Sequence, residues 1–160
     1  MSKRMTYELT YDAPLADVAA MLGDPAFREQ VCTDQRVLSS DVTIEEVGGV
    51  RQVTIDQTQA AEGIASFAKK FVGETIHIVQ TESWTSADQG TIEMTTPGKP
   101  GDIRGTIALV ESGGVTTETV DMEIKIGIPL VGGKIEGLIG DLLRRALKAE
   151  NRVGRDYLSR

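Results

Sequence analysis

The chain has one cysteine and one histidine among its 160 residues. A single thiol excludes an internal disulfide, and Cys32 with His77 cannot assemble the usual zinc sets, so no metal and no cofactor are expected. Aromatic side chains are also scarce, seven in all, which leaves aliphatic residues to fill any interior. No apolar run reaches the ~18 residues a bilayer span needs, because Lys134, Glu136 and Asp141 interrupt the best candidate. Met1 to Thr6 carries charge with no apolar stretch behind it, so no secretory signal is read and the expected location is the cytoplasm. Positive charge is in the minority. Seventeen basic residues against twenty-four acidic ones give a net charge of -7, which repels phosphate backbones and argues against nucleic acid as a partner. The exception is Arg144 to Arg160, with six basic and two acidic residues, a face for solvent or for an acidic partner or anionic lipid.

What is present is strong periodicity. The composition, 40% hydrophobic and 26% charged, is that of an ordinary soluble globular protein. Tyr7, Leu9 and Tyr11 alternate as in a half-buried strand over 5–11. Leu15, Val18, Met21 and Leu22 then fall at helical spacing up to Gly23. Asp24-Pro25 reads as an N-cap with proline at the first helical position, opening a second short helix that carries Phe27 and Val31 inward.

From Arg36 the period becomes two, predicting strands near 36–47, 50–58, 75–85, 90–96, 103–111 and 115–128. Gly48-Gly49, Asp88-Gln89-Gly90 and Ser112-Gly113-Gly114 are expected as short turns, so the strands form an antiparallel meander with one wet and one buried face. Val120, Met122, Ile124 and Ile126 mark the buried face. The last segment, 131–158, is an amphipathic helix with Ile135, Leu138, Ile139, Leu142, Ala146, Ala149, Val153 and Tyr157 in one stripe. No repeat or linker interrupts the chain, so one domain is expected.

The order strand, two short helices, six-stranded meander and long C-terminal helix is similar to the START-like, or SRPBCC, helix-grip superfamily. "YELTYDAPLADVAAMLGDPAF" resembles its opening strand and helix pair. "FAKKFVGETIHIVQTESW", "PGKPGDIRGTIAL" and "IPLVGGKIEGLIGDLLRRALKAE" look more narrowly like an actinobacterial family of uncharacterised members within it, a domain of unknown function. The resemblance covers about residues 4–158. It implies an α+β helix-grip fold: a curved seven-stranded antiparallel sheet wrapped around the C-terminal helix, with a hydrophobic cavity between them. The superfamily spans lipid carriers, hormone receptors, cyclases and co-chaperone modules, so the fold does not choose among functions.

On that fold the inward phase predicts a cavity lined by Val53, Ile55, Ile78, Ile92, Met94, Ile107, Met122 and Ile124, with Trp84, Leu142 and Ala146. Gln57, Gln80 and Glu82 share the inward phase and are candidates to orient a polar head group, unless a bulge turns them to solvent. A buried Glu82 without a partner is expected to have a raised pKa. The 59–73 connection places Ile64, Phe67 and Phe71 at helical spacing, and Pro97 and Pro100 stiffen 97–102. These loops are expected at one edge of the sheet, as a gate or as a plug that completes the core.

Other motifs carry less. "GIPLVGGKIEG" follows a strand and opens a helix but fails the spacing of a phosphate-binding loop, with Ile135 after Lys134 where Ser or Thr belongs. Gly132 and Gly133 are expected to turn the chain after Pro129. Gly133, Gly137 and Gly140 thin one side of the helix, for a neighbouring loop or a second subunit to approach. His77 is expected at the surface and Cys32 in the core or at a helix edge, and no catalytic constellation is legible. The expected function is binding of a hydrophobic small molecule or lipid as a carrier or sensor. The alternatives are a polyketide cyclase/aromatase-like enzyme, and a protein-interaction module whose cavity has collapsed.

Overall fold

The computed structural model describes residues 2–61, 64 and 66–160, except for the side chains of Phe71 and Val72. Strand β1 (Lys3–Tyr11) is followed by helices α1 (Leu15–Leu22) and α2 (Pro25–Asp34). The meander is β2 (Ser39–Val47), β3 (Val50–Ala60), β4 (Thr75–Trp84), β5 (Gln89–Thr95), β6 (Asp102–Ser112) and β7 (Val115–Lys125). Helix α3 (Ser66–Val72) lies between β3 and β4, and α4 (Gly132–Leu158) ends the fold. The seven strands form one sheet in the order β1-β7-β6-β5-β4-β3-β2, antiparallel throughout. This is the α+β helix-grip arrangement.

Local chemistry sets the boundaries. The Asp24 side chain accepts from the Ala26 amide at 3.0 Å with Pro25 in the first turn, so α2 is capped as its sequence predicts. Gly48-Gly49 and Gly113-Gly114 take positive φ at both positions (58° and 81°, 59° and 80°), the geometry of two-residue hairpins whose twist matches the flanking strands. Arg36 also has φ 57°, and β2 begins only at Ser39, so the expected strand start at 36 moves by three residues. Strand β7 stops at Lys125 rather than 128, because the Ile126 amide leaves the ladder and donates to Glu136 Oε2 at 2.9 Å.

Three glycine expectations change in the structure. Gly90 is not in a turn: it is buried in β5, and a Cβ there would lie 2.8 Å from the Trp84 ring. The turn after Pro129 falls to Leu130, at φ 71°, while Gly132 and Gly133 already belong to α4. Part of the thin side of α4 meets a strand, whereas Gly133 faces open space. A Cβ on Gly140 would stand 3.6 Å from Lys3 Cε and 3.8 Å from Ile124 Cδ1, and one on Gly137 3.9 Å from Lys3 Nζ. Glycines here let α4 lie close against β1.

The inner face of the sheet, α1, α2 and α4 share one core. It contains Met5, Leu9, Tyr11, Val18, Met21 and Phe27, with Val53, Trp84, Val120, Met122, Ile124 and Val153. Its outer counterpart is polar, where His77 pairs with Asp56 at 2.7 Å and both stay half exposed. No helix among the described residues is long and apolar enough to cross a membrane.

Candidate functional site: a cavity with an acidic floor

Between the sheet and α4 lies a cavity of about 420 Å³, within the ~300–1,000 Å³ usual for small-molecule sites. Ile55 and Gln57 of β3 line it, as do Ile78, Gln80 and Glu82 of β4. Ile92 and Met94 of β5, Ile107 of β6 and Met122 of β7 continue the wall, and Leu142 and Ala146 of α4 close it. Three expected wall residues are buried but do not reach the cavity. Ile124 fills the space beside Gly140. The Trp84 ring lies flat on Gly90, with the Arg51 guanidinium 5.6 Å from its centroid on the other flank. Val53 stands opposite Glu82 in the register, at the end of the sheet that Arg28 covers.

The gate residues divide. Ile64 and Pro100 line the cavity, Phe67 packs half-buried against the core without reaching it, and Pro97 is exposed outside the lining. The Phe71 side chain lies outside the described residues. Lys99, Pro100 and Gly101 are both lining and solvent-exposed, so this end is the one nearest solvent. Ala60, Ile76 and Ile128 stand with them, where β3 ends, β4 begins and the chain turns into α4.

The opposite end is charged. Its groups come from the far ends of the same elements: Glu82 near the end of β4, Glu118 near the start of β7 and Glu150 in the last third of α4, with Arg28 of α2 above them. Arg28 and Glu82, 2% and 1% exposed, form a two-pronged pair: Nη1 donates to Oε2 at 3.0 Å and Nη2 to Oε1 at 2.8 Å. Arg28 Nε donates to the Leu22 carbonyl at 2.9 Å. Trp84 Nε1 (2.9 Å) and Gln80 Nε2 (2.7 Å) complete four hydrogen bonds to Glu82. Burial alone would raise the Glu82 pKa. The Arg28 charge and these donors outweigh it and hold Glu82 below its ordinary value, so the rise expected for an unpartnered acid does not occur.

Glu118 is the reverse case. It is 2% exposed, and its Oε1 is buried with no hydrogen-bond partner among the described residues. Burial, and next the Glu150 charge, lift its pKa well above the ordinary range. Glu150, 14% exposed, stands 4.0 Å from Arg28 Nη1. Burial lifts it to about 7 against the pull of Arg28, and the Glu82 charge adds to the rise. Tyr11 closes the cluster from β1. Its ring fits because Gly154 has no side chain, and burial above all raises its pKa and keeps it a neutral phenol.

Sequence periodicity already held the signals for these residues. Glu118 shares the phase of Val120, Met122 and Ile124. Arg28 sits three residues before Val31, and Glu150 lies between Ala146 and Val153 on the α4 stripe. A charged residue in an apolar phase is ordinarily read as exposed near an element's end. The interaction that compensates the burial of Arg28 joins residues 54 apart in sequence.

A meander closed on a long C-terminal helix, with a lined cavity between them, defines the START-like helix-grip class. Within it, the chain belongs to the family described as "Protein of unknown function (DUF2505)", matched over residues 6–158. Similar solved structures include a START superfamily protein from Mycobacterium smegmatis (14% identity, 95% of this chain and 97% of that one, TM-score 0.62). Norcoclaurine synthase from Thalictrum flavum is similar at 17% identity, over 96% and 86% of the two chains, with a TM-score of 0.60. The di-domain aromatase/cyclase StfQ of the steffimycin biosynthetic pathway matches at 10% identity and TM-score 0.65, over 98% of this chain but half of its own. At these identities the likeness is one of fold. No curated protein matches the sequence.

Proposed function

We propose that this protein binds a hydrophobic small molecule or lipid between the sheet and α4, as a carrier or sensor in the cytoplasm. The observation that carries the reading is the cavity itself: about 420 Å³, walled largely by aliphatic side chains, with its buried carboxyl groups gathered at one end. Apolar area removed from water would drive binding, and the polar end would orient the guest. A collapsed interaction module would have this volume filled, and the aliphatic wall is the feature that sets the carrier reading above it. Residues 59–73 and 97–102 are the gate in this reading. Native mass spectrometry of gently purified protein should retain an apolar molecule. Leu142→Trp, which narrows the chamber, should reduce its retention, and an undiminished guest would count against the cavity as its seat.

A second reading, an enzyme of cyclase or aromatase type, is favoured by one observation: Glu118 and Glu150 are acids held in reserve of their protons beside an apolar chamber, the tuning expected of general acids. Turnover of a bound guest that is lost in Glu118→Gln would select it over simple carriage.

A further inference from the structure

Around the floor of the cavity stand three carboxyl groups, Glu82, Glu118 and Glu150, and one guanidinium, Arg28. Resting on the reading of this cavity as a ligand site, we propose that its floor is a binding site for a cationic amine head group, taken by Glu118 and Glu150, on a ligand with an apolar body.

The reasoning is one of charge and donors. Arg28 is committed to Glu82 by two hydrogen bonds and to Leu22 by a third, so that pair is closed and neutral. Two carboxyls remain without a cation of their own, and Arg28 approaches Glu150 no nearer than 4.0 Å. A buried carboxylate is costly unless it is paired. Glu118 goes further, since its Oε1 faces no donor among the described residues. An alkylammonium group supplies what is missing: one positive charge and three donors at the end of an apolar chain. The aliphatic wall between floor and mouth would take that chain.

Other head groups fit the floor less well. An anion would face Glu118 and Glu150 with Arg28, the buried cation among the described residues, already paired. Its natural seat is the opposite end, where exposed Lys99 lines the cavity, or Arg145 on α4. A neutral alcohol brings a hydrogen bond but no charge. Tyr11 and Cys32 near the floor are kept in their neutral forms by burial, and the part-buried Arg51 stands over the Trp84 ring, outside the cavity lining, donating to the Ala19 carbonyl.

The proton balance gives a signature. Burial lifts the pKa of Glu118 well above the ordinary range and that of Glu150 to about 7, whereas an alkylamine is already protonated in water. When R–NH3+ settles on the floor, the carboxyl it faces gives its proton to solvent and becomes the carboxylate partner. Binding should therefore release up to about one proton per amine at pH 6, by linkage.

The test is isothermal titration calorimetry of the full chain with decylamine, decanol and decanoic acid, each in buffers of different ionisation enthalpy. Decylamine is expected to bind at least about tenfold more tightly than the other two, as a desolvated charge-assisted contact should, and to release protons. Glu118→Gln and Glu150→Gln are neutral and isosteric, so they imitate the acid forms. Denaturant titration establishes that each variant folds. Each should weaken decylamine at least about tenfold more than it weakens decanol. Equal or tighter binding of the alcohol or acid, amine binding without proton release, or Gln variants indifferent to the head group would overturn the amine assignment while leaving the cavity a binding site. If none of the three probes binds, the cavity reading fails and the amine assignment with it.

Discussion

Near the 97–101 turn the cavity is walled by Ile64, Ala68, Ile76, Pro100 and Ile128 with Thr95, Thr96 and exposed Lys99 at the solvent side, whereas toward the other end the same sheet presents buried Glu82 and Glu118 beneath Arg28. The apolar end is a sum of independent contacts, each replaceable by a neighbour of similar volume at a cost usually below about 1.5 kcal/mol. The charged end is not divisible in this way. Glu82 is held below its ordinary pKa by Arg28, Trp84 and Gln80, whereas Glu118, whose Oε1 has no donor among the described residues, is raised well above its own.

The largest effect should come from splitting the buried pair. Arg28→Met leaves Glu82 desolvated and unpaired and is expected to cost about 3–5 kcal/mol in chemical denaturation. Adding Glu82→Gln should recover a sizeable part of that loss. Additive penalties would erase the distinction between the two ends. Gly90→Val tests the support beneath the floor, since the new side chain must displace the Trp84 ring that donates to Glu82. A loss of about 1–3 kcal/mol is expected, with a change in the fluorescence of the single tryptophan.

A smaller effect concerns pH. Glu118 and Glu150 bind protons more tightly in the folded chain than in the unfolded one, so the folded state carries more protons as pH rises from about 4.5 toward 7. Stability should therefore fall through that window, by up to about 1 kcal/mol per pH unit for each group, and Glu118→Gln should flatten the slope. Glu82 acts in the opposite sense: its contribution is present above 4.5 and is lost as pH drops below that value. A slope unchanged by Glu118→Gln would show that the acid form is not confined to the fold. The smallest effect is reserved for the outer face of β4, where Asp56→Asn removes the half-exposed partner of His77. A change within about 0.5 kcal/mol is expected there, and a larger one would mean that burial does not separate the faces as described.

Legibility in the sequence followed the range of the interaction. The strands, the helix pair and α4 could be read within a few residues, because alternation, Asp24-Pro25 and paired glycines act locally. Gly90 misled because a glycine flanked by polar residues signals a turn, whereas its function is to lie under an aromatic ring from the neighbouring strand. Ile124, Trp84 and Val53 have the inward phase expected of them, but phase does not distinguish a wall from the core behind it. Arg28, Glu118 and Glu150 fell on inward stripes too. Their polarity argued against burial, and only the packed elements show Arg28 paired with Glu82 and the two acids enclosed beside it.

The amino-acid order alone determined the six-stranded meander, its dry face and the helix that covers it, since each follows from periodicities of two and 3.6 residues and from turn chemistry. Tertiary packing alone decided which of the inward acids holds a proton. Desolvation and Coulomb attraction depend on separations between α2, β4, β7 and α4, distances that no local pattern encodes.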